Sequence, residues 1–144
     1  MEIKIINKSK NENPKYSKDG DSGMDLRAML DYPITLLPFK RVLVPTGVHL
    51  ELPKGYEGQV RGRSGLALEY GVGVVQGIGT IDSNYTGDIG VILVNHGQEA
   101  FVIENGDRIA QLVICKVEKV DLVDSKEIKK TNRGTSGYGS TGVK

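Results

Sequence analysis

The chain has a single cysteine, no tryptophan, only five prolines and almost no net charge, and each scarcity removes a class of protein. With Cys115 alone, no intrachain disulfide framework is possible, and a buried, inert thiol is the simple reading of Leu112-Val113-Ile114-Cys115. Six tyrosines and two phenylalanines supply no broad aromatic platform for stacking single-stranded nucleic acid. Nineteen basic residues stand against eighteen acidic ones, a balance unlike the basic face of a DNA or RNA coat, so no nucleic-acid partner is expected. No apolar run approaches the ~18 residues that span a bilayer. Met1-Glu2-Ile3-Lys4-Ile5-Ile6 also lacks the apolar core of a signal peptide, so a cytoplasmic protein with no membrane partner is predicted. Asn7-Lys8-Ser9 and Asn84-Tyr85-Thr86 then carry no glycosylation meaning.

What the chain does have is glycine, 19 in 144 residues, about twice the ordinary ~7% share. So many glycines imply tight turns, or backbone that must come close to something. Short β-like runs separated by turn residues fill most of the length: Ile3 to Ile6, Arg41 to Val44, Val48 to Leu52, Tyr56 to Arg63, Val72 to Gln76, Ile89 to Asn95, Ala100 to Ile103 and Arg108 to Val117. Pro14, Pro38 and Pro53 fall between runs, where a missing backbone donor is tolerated. One segment reads as helix, Ser64 to Tyr70, with Ser64 as N-cap and Gly71 as the stop. The length suits one domain, and the class expected is all-β with one short helix.

The end of the chain differs from the rest. From Lys126 onward five basic residues face one acidic residue, whereas residues 1–125 hold 14 basic and 17 acidic side chains. Arg133-Gly134-Thr135-Ser136-Gly137-Tyr138-Gly139-Ser140-Thr141-Gly142 is too small and polar to pack into a core. Composition reads it as a disordered tail; the alternative is an arm that orders around an anion through its arginine, hydroxyls and pliable backbone. The G-x-G-x-x-G pattern within it opens no helix of a strand–helix–strand unit and therefore is not a dinucleotide fingerprint. His49 and His96 stand alone, without metal-ligand spacing.

Three internal segments could carry chemistry. Arg63-Ser64-Gly65 lies where a strand gives way to the helix, so charge, hydroxyl and backbone N–H groups could converge on one anion; a capped helix with a surface arginine is the plain alternative. Gly77 to Gly87 places Asp82 after an apolar pair between turn residues, which also suits an ordinary hairpin. Gly106-Asp107-Arg108-Ile109-Ala110-Gln111-Leu112 enters a buried strand, and an ion pair of Asp107 with Arg108 is its structural reading.

In chain order Ser22-Gly23-Met24-Asp25-Leu26, the 63–67 segment Arg-Ser-Gly-Leu-Ala, the 79–87 segment around Asp82, the 106–112 segment and the 133–142 tail closely resemble the five motifs of the trimeric deoxyuridine triphosphate nucleotidohydrolase (dUTPase) family. The resemblance spans residues 22 to 142. It implies a distorted β jelly roll over 1–125, with an arm over 126–144 that closes on a neighbouring subunit's site in a homotrimer with shared sites. It also implies hydrolysis of dUTP to dUMP and pyrophosphate with Mg2+. Asp82 would be the general base that takes a proton from water attacking the α-phosphorus, a role suited to a carboxylate. Asp25 would lie near the waters of the metal. Arg63, Ser64 and Gly65 would hold the phosphates, with Gln111 arriving from a neighbouring subunit. The segment from Gln76 to Gly90 would form a hairpin whose backbone reads uracil, Thr80 and Ile81 within it, and Tyr85 would pack on the deoxyribose and exclude a 2′-hydroxyl. In the arm Tyr138 would stack on the base, Arg133, Ser140 and Thr141 would engage the γ-phosphate, and Gly139 would complete the nucleotide contacts. Gln76 stands where the family usually has Asn, Ile78 and Gly62 where Pro is frequent, and Tyr138 where Phe is common. A dCTP deaminase would share the fold, but no deaminase-type Arg-Glu pair follows Arg63-Ser64.

Overall fold

Alternation of apolar and polar residues builds short strands, and their apolar sides meet in one core. The structure, a computed structural model, describes residues 1–137. Its elements in order are β1 (Lys4–Asn7), β2 (Met24–Arg27), β3 (Ile34–Leu36), β4 (Arg41–Val44), β5 (Val48–Glu51), β6 (Tyr56–Arg61), α1 (Ser64–Tyr70), β7 (Val72–Val74), β8 (Ile78–Ile81), β9 (Val91–Asn95), β10 (Phe101–Ile103) and β11 (Arg108–Lys116). All ladders are antiparallel: a four-stranded sheet β2-β11-β6-β8, a three-stranded sheet β4-β9-β7, and the pairs β1-β5 and β10-β3. This is the expected all-β distorted jelly roll with one helix. No helix among the described residues is long and apolar enough to cross a membrane.

The core joins the sheets through Leu26, Val44, Val60, Val72, Val91, Leu93, Ile109 and Leu112, each at most 2% exposed. Its two buried polar side chains are both satisfied, as burial requires. Thr46 donates its hydroxyl to the Ile89 carbonyl at 2.7 Å and accepts from the Val48 N–H. Asn95 donates to the Leu36 and Glu99 carbonyls and accepts from the Gly97 N–H. Both act as pins, fastening loops that the ladders do not reach.

Several local expectations are corrected. Arg63, not Ser64, is the N-cap of α1, and no side chain caps the helix; Gly71 does stop it, in the left-handed conformation (φ 68°) that glycine adopts without a Cβ clash. No residue of α1 is fully buried; Leu66, partly buried, packs the helix against the core. The strand expected to run to Arg63 ends at Arg61. The segment from Gln76 to Gly90 is not a hairpin ladder: β8 pairs with β6, while β7 and β9 belong to the other sheet. The chain crosses between sheets there, and β8 is left as an edge strand with one side unpaired. The strands β2 and β3 lie outside the expected runs, and β8 is the first arm of the expected hairpin without its second arm. A bulge between Arg108 and Ala110 interrupts the β11–β2 register. It lets Ile109 and Ala110 both be buried while Arg108 turns outward.

Candidate functional site

Two clefts on this body contain the residues singled out from the sequence. The first, of about 430 Å³, is lined by Asp21, Ser22, Asp25, Arg63, Ser64, Gly65, Arg108 and Gln111 among others. Asp25 on β2 organises it. Its Oδ1 accepts from Arg63 Nε at 3.0 Å and its Oδ2 from Arg108 Nη1 at 3.3 Å. Arg63 Nη1 also donates to the Arg108 carbonyl at 3.2 Å. The Arg63 and Asp25 side chains are 26% and 27% exposed, sheltered enough for the pair to orient both groups while remaining reachable. Arg108 was read from sequence as a partner of Asp107; instead Asp107 accepts the Glu104 N–H at 2.8 Å and Arg108 faces the cleft. This is the functional candidate that sequence reading missed, and the bulge that aims it leaves no mark in composition.

Gln111 reaches this cleft within the same chain. Pairing of β11 with β6 sets Gln111 opposite Arg61, and its Nε2 donates to the Gly62 carbonyl at 2.9 Å, next to Arg63. The expected arrival from a neighbouring subunit is therefore corrected. Two guanidiniums face two carboxylates here, Asp21 and Asp25, so the cleft is close to neutral despite its arginines. Its hydroxyls, guanidinium forks and open backbone at Gly65 suit an anion with several oxygens.

The second cleft, of about 250 Å³, is lined by Leu43, Thr80, Ile81, Asp82, Tyr85, Asp88, Gly90 and Ile92. β8, an edge strand, contributes Thr80 and Ile81 to its wall, and an edge strand carries unpaired N–H and C=O groups of the kind a planar amide-like edge can pair with. Tyr85 donates its hydroxyl to the Asp88 carbonyl at 2.8 Å. Asp82 is exposed and forms no ion pair among the described residues; its carbonyl accepts the Tyr85 N–H at 3.0 Å. Asp82 also borders a further cleft of about 410 Å³ with Lys54 and Lys119. Gln76 is exposed, its amide turned back over Gly79, where a Cβ would meet it at 3.1 Å.

The two clefts share no residue and lie at opposite ends of one ladder. Ile81, before Asp82, pairs with Gly58, whereas Arg61, before Gly62 and Arg63, pairs with Ile78. Five to six residues of extended chain put Asp82 and Arg63 roughly 15–20 Å apart. In one chain Asp82 and Arg63 therefore belong to separate clefts.

Arg133 lies in neither cleft. Residues 117–137 contain no strand or helix, and Arg133 Nε donates locally to the Ser136 carbonyl at 3.0 Å. Val120, Leu122, Val123 and Ile128 in this stretch are at least 75% exposed. Tyr138, Gly139, Ser140 and Thr141 lie outside the described residues. No group of three or more His, Cys, Asp or Glu side chains among the described residues is arranged to hold a metal ion.

A model of the dUTPase family matches residues 9–142. The chain is 56% identical over 131 residues to the deoxyuridine 5'-triphosphate nucleotidohydrolase of an Anaeromyxobacter species, covering 91% of this chain and 88% of that one. It is 46% identical over 142 residues to the enzyme of the same name from Finegoldia magna, covering 99% of each. In fold it is similar to a mutant dUTPase of Staphylococcus bacteriophage 80alpha with dUpNHpp, at a TM-score of 0.88, 24% identity and 99% of each chain covered. It is also similar to a mutant dUTPase of phage phi11 of S. aureus, solved for the coordination of a structural Mg(II) ion, at a TM-score of 0.80 and 21% identity over 88% of this chain and 98% of that one.

Proposed function

The chain belongs to the dUTPase family and hydrolyses dUTP, and from that premise we propose that the reaction is water attack on the α-phosphorus at sites shared by the subunits of a homotrimer. One observation supports the shared site: within one chain Arg63 and Asp82 line separate clefts that have no residue in common. Packing copies so that one chain's Arg63 cleft meets another's Asp82 cleft would bring both to one nucleotide. The exposed apolar side chains of Leu43, which lines the second cleft, and Val75, whose N–H bonds the Ile92 carbonyl in its wall, support burial against a sister chain there.

In this reading Asp82 accepts a proton from water as the water oxygen bonds to the α-phosphorus. The bond from that phosphorus to the bridging oxygen breaks, and pyrophosphate leaves beside Arg63, Arg108, Ser64 and Gln111. Asp25 keeps the two guanidiniums aimed at the phosphates. The edge of β8, at Thr80 and Ile81, pairs with uracil, with Gly90 on the opposite wall; cytosine presents the wrong donor and acceptor pattern, and unpaired site groups can be worth ~10⁴-fold. Tyr85 walls the sugar.

The near-neutral first cleft calls for extra positive charge before it can hold a triphosphate, which supports two further parts of the proposal. Arg133 of the arm over 126–144, with Tyr138, Gly139, Ser140 and Thr141, closes over a neighbour's nucleotide. Mg2+ would be held by the triphosphate oxygens and water, with a second lone pair on each Asp25 oxygen free to accept from a metal-bound water, and it would neutralise phosphate charge when bound. With two carboxylates, Asp21 and Asp25, and no third His, Cys, Asp or Glu arranged with them among the described residues, the cleft fits a cation that enters with the nucleotide. The unpaired Cys115 and a nucleotide substrate support a cytoplasmic setting.

Mixing tests the shared site. Arg63→Ala and Asp82→Asn chains, each inactive alone, should regain part of the wild-type pyrophosphate release when unfolded and refolded together, because some mixed sites combine two intact halves. No regain would overturn sharing. Pyrophosphate release across dUTP, dTTP, dCTP and UTP should be confined largely to dUTP.

A further inference from the structure

The segment that carries Asp82 and Tyr85 has few ladder bonds: β8 ends at Ile81 and β9 begins at Val91. Within it, the Tyr85 N–H donates to the Asp82 carbonyl and the Tyr85 hydroxyl to the Asp88 carbonyl. The Tyr85 ring lies so close to Gly87 that a Cβ there would overlap it. These bonds set the shape of the loop without fixing it to the body. Its stem is fixed by the Thr46 hydroxyl on the Ile89 carbonyl and by the Ile89 N–H on the Val48 carbonyl at 2.8 Å. Its tip is bonded by one side chain of another element among the described residues: His49 of β5, whose Nδ1 lies 2.9 Å from the Thr86 carbonyl.

Alternation along β5 turns Val48 and Leu50 into the core and leaves His49 facing outward, on the side where the loop passes. The Thr86 carbonyl can only accept, so Nδ1 carries the proton. Both the Nδ1–H neutral ring and the imidazolium donate, so the contact does not require a charged histidine.

We propose that His49 is a positioning residue for sugar selectivity: by holding the Thr86 carbonyl it keeps the adjacent Tyr85 ring where a ribose 2′-hydroxyl would have to fit. This rests on the reading of Tyr85 as the sugar wall. Loss of the tether lets the tip move, and the ribonucleotide gains more than the deoxyribonucleotide because only it was obstructed.

The experiment compares kcat/KM for UTP and dUTP in the full-length wild type, His49→Leu, His49→Asn, Tyr85→Ala and the Tyr85→Ala/His49→Leu double variant. His49→Leu should raise the UTP-to-dUTP ratio about three- to fivefold, the scale of one net hydrogen bond, chiefly through the KM for UTP. His49→Asn should restore the wild-type ratio, because its Nδ2 keeps a donor at the position of the imidazole Nδ1. Tyr85→Ala should raise the ratio further, and adding His49→Leu to it should change nothing more. An unchanged ratio in His49→Leu beside a raised one in Tyr85→Ala would overturn the role of His49 alone. An unchanged ratio in Tyr85→Ala would overturn the sugar wall and the inference with it. Failure of asparagine to restore the ratio would also overturn it, reducing His49 to a shape-filling residue.

Discussion

In the Arg63 cleft the groups that face open space are side-chain atoms held by charge, with Asp25 between two guanidiniums. In the Tyr85 cleft the lining comes from an edge strand and the loop after it, walled by Leu43 and Ile92, and the loop is held by hydrogen bonds from Thr46 and His49. The difference matches what each must recognise. A phosphate chain presents equivalent oxygens on a movable tether and is gripped by charge and forked donors. A pyrimidine presents a fixed pattern of donors and acceptors, which main-chain groups set at fixed spacing can read. Substitution should therefore act on the two clefts differently, through electrostatic orientation in one and through backbone placement in the other.

The largest expected effect lies in the second cleft and concerns chemistry rather than recognition. Asp82→Asn keeps the size of the side chain and removes its basicity, so turnover should fall by about 10²–10⁴-fold while dUTP still binds. Pyrophosphate release beside a nucleotide titration reads the two separately. Unchanged turnover would remove Asp82 from its role as base and leave that cleft with recognition alone.

Asp25→Asn probes the charge-held cleft. Two guanidiniums lose their shared anion and repel each other, and a displacement on the order of 1 Å can cost ~10²-fold in rate. We expect kcat/KM for dUTP to fall by roughly 10–100-fold, with a folded protein by melting. A loss confined to thermal stability would make Asp25 a structural ion pair only.

Thr46→Val tests the backbone-held cleft at its stem. The change leaves the buried Ile89 carbonyl and the Val48 N–H short of a partner, at a cost of about 1–3 kcal/mol. Chemical denaturation should show that loss, and KM for dUTP should rise because the stem of the Tyr85 loop at Ile89 is no longer held by Thr46. The corresponding loss from Lys4→Ala should be within ~1 kcal/mol, since its pair with Glu51 is exposed.

Much of this architecture was legible in the chain, and what was not has a common cause. The bounds of α1 follow from local signals, above all Gly71, and β4 and β9 from apolar runs between turns. The strands β2, β3 and β8 are three or four residues long and carry Asp25, Thr35 or Gly79 inside them; their pairing comes from partners distant in sequence. The separation of Asp82 from Arg63 depends on the register of β6 with β8, and the placement of Gln111 on that of β11 with β6. The residue types that do the chemistry can be read along the chain, but which of them share a cleft is decided by long-range ladders.

Ser64 brings that point to its smallest test. As a serine at the start of a helix it invites reading as an N-cap, whose loss usually costs ~1 kcal/mol. Arg63 holds the cap position, and no side-chain cap bond is made. Ser64→Ala should therefore change the melting temperature very little, within about 0.5 kcal/mol of stability, because alanine is also the better helix former. Any effect should appear with nucleotide present, as a modest rise in KM for dUTP from the loss of one hydroxyl facing the Arg63 cleft. A clear loss of stability with unchanged KM would reverse the assignment, making Ser64 part of the scaffold and leaving the charge-held cleft to its arginines, Gln111 and main chain.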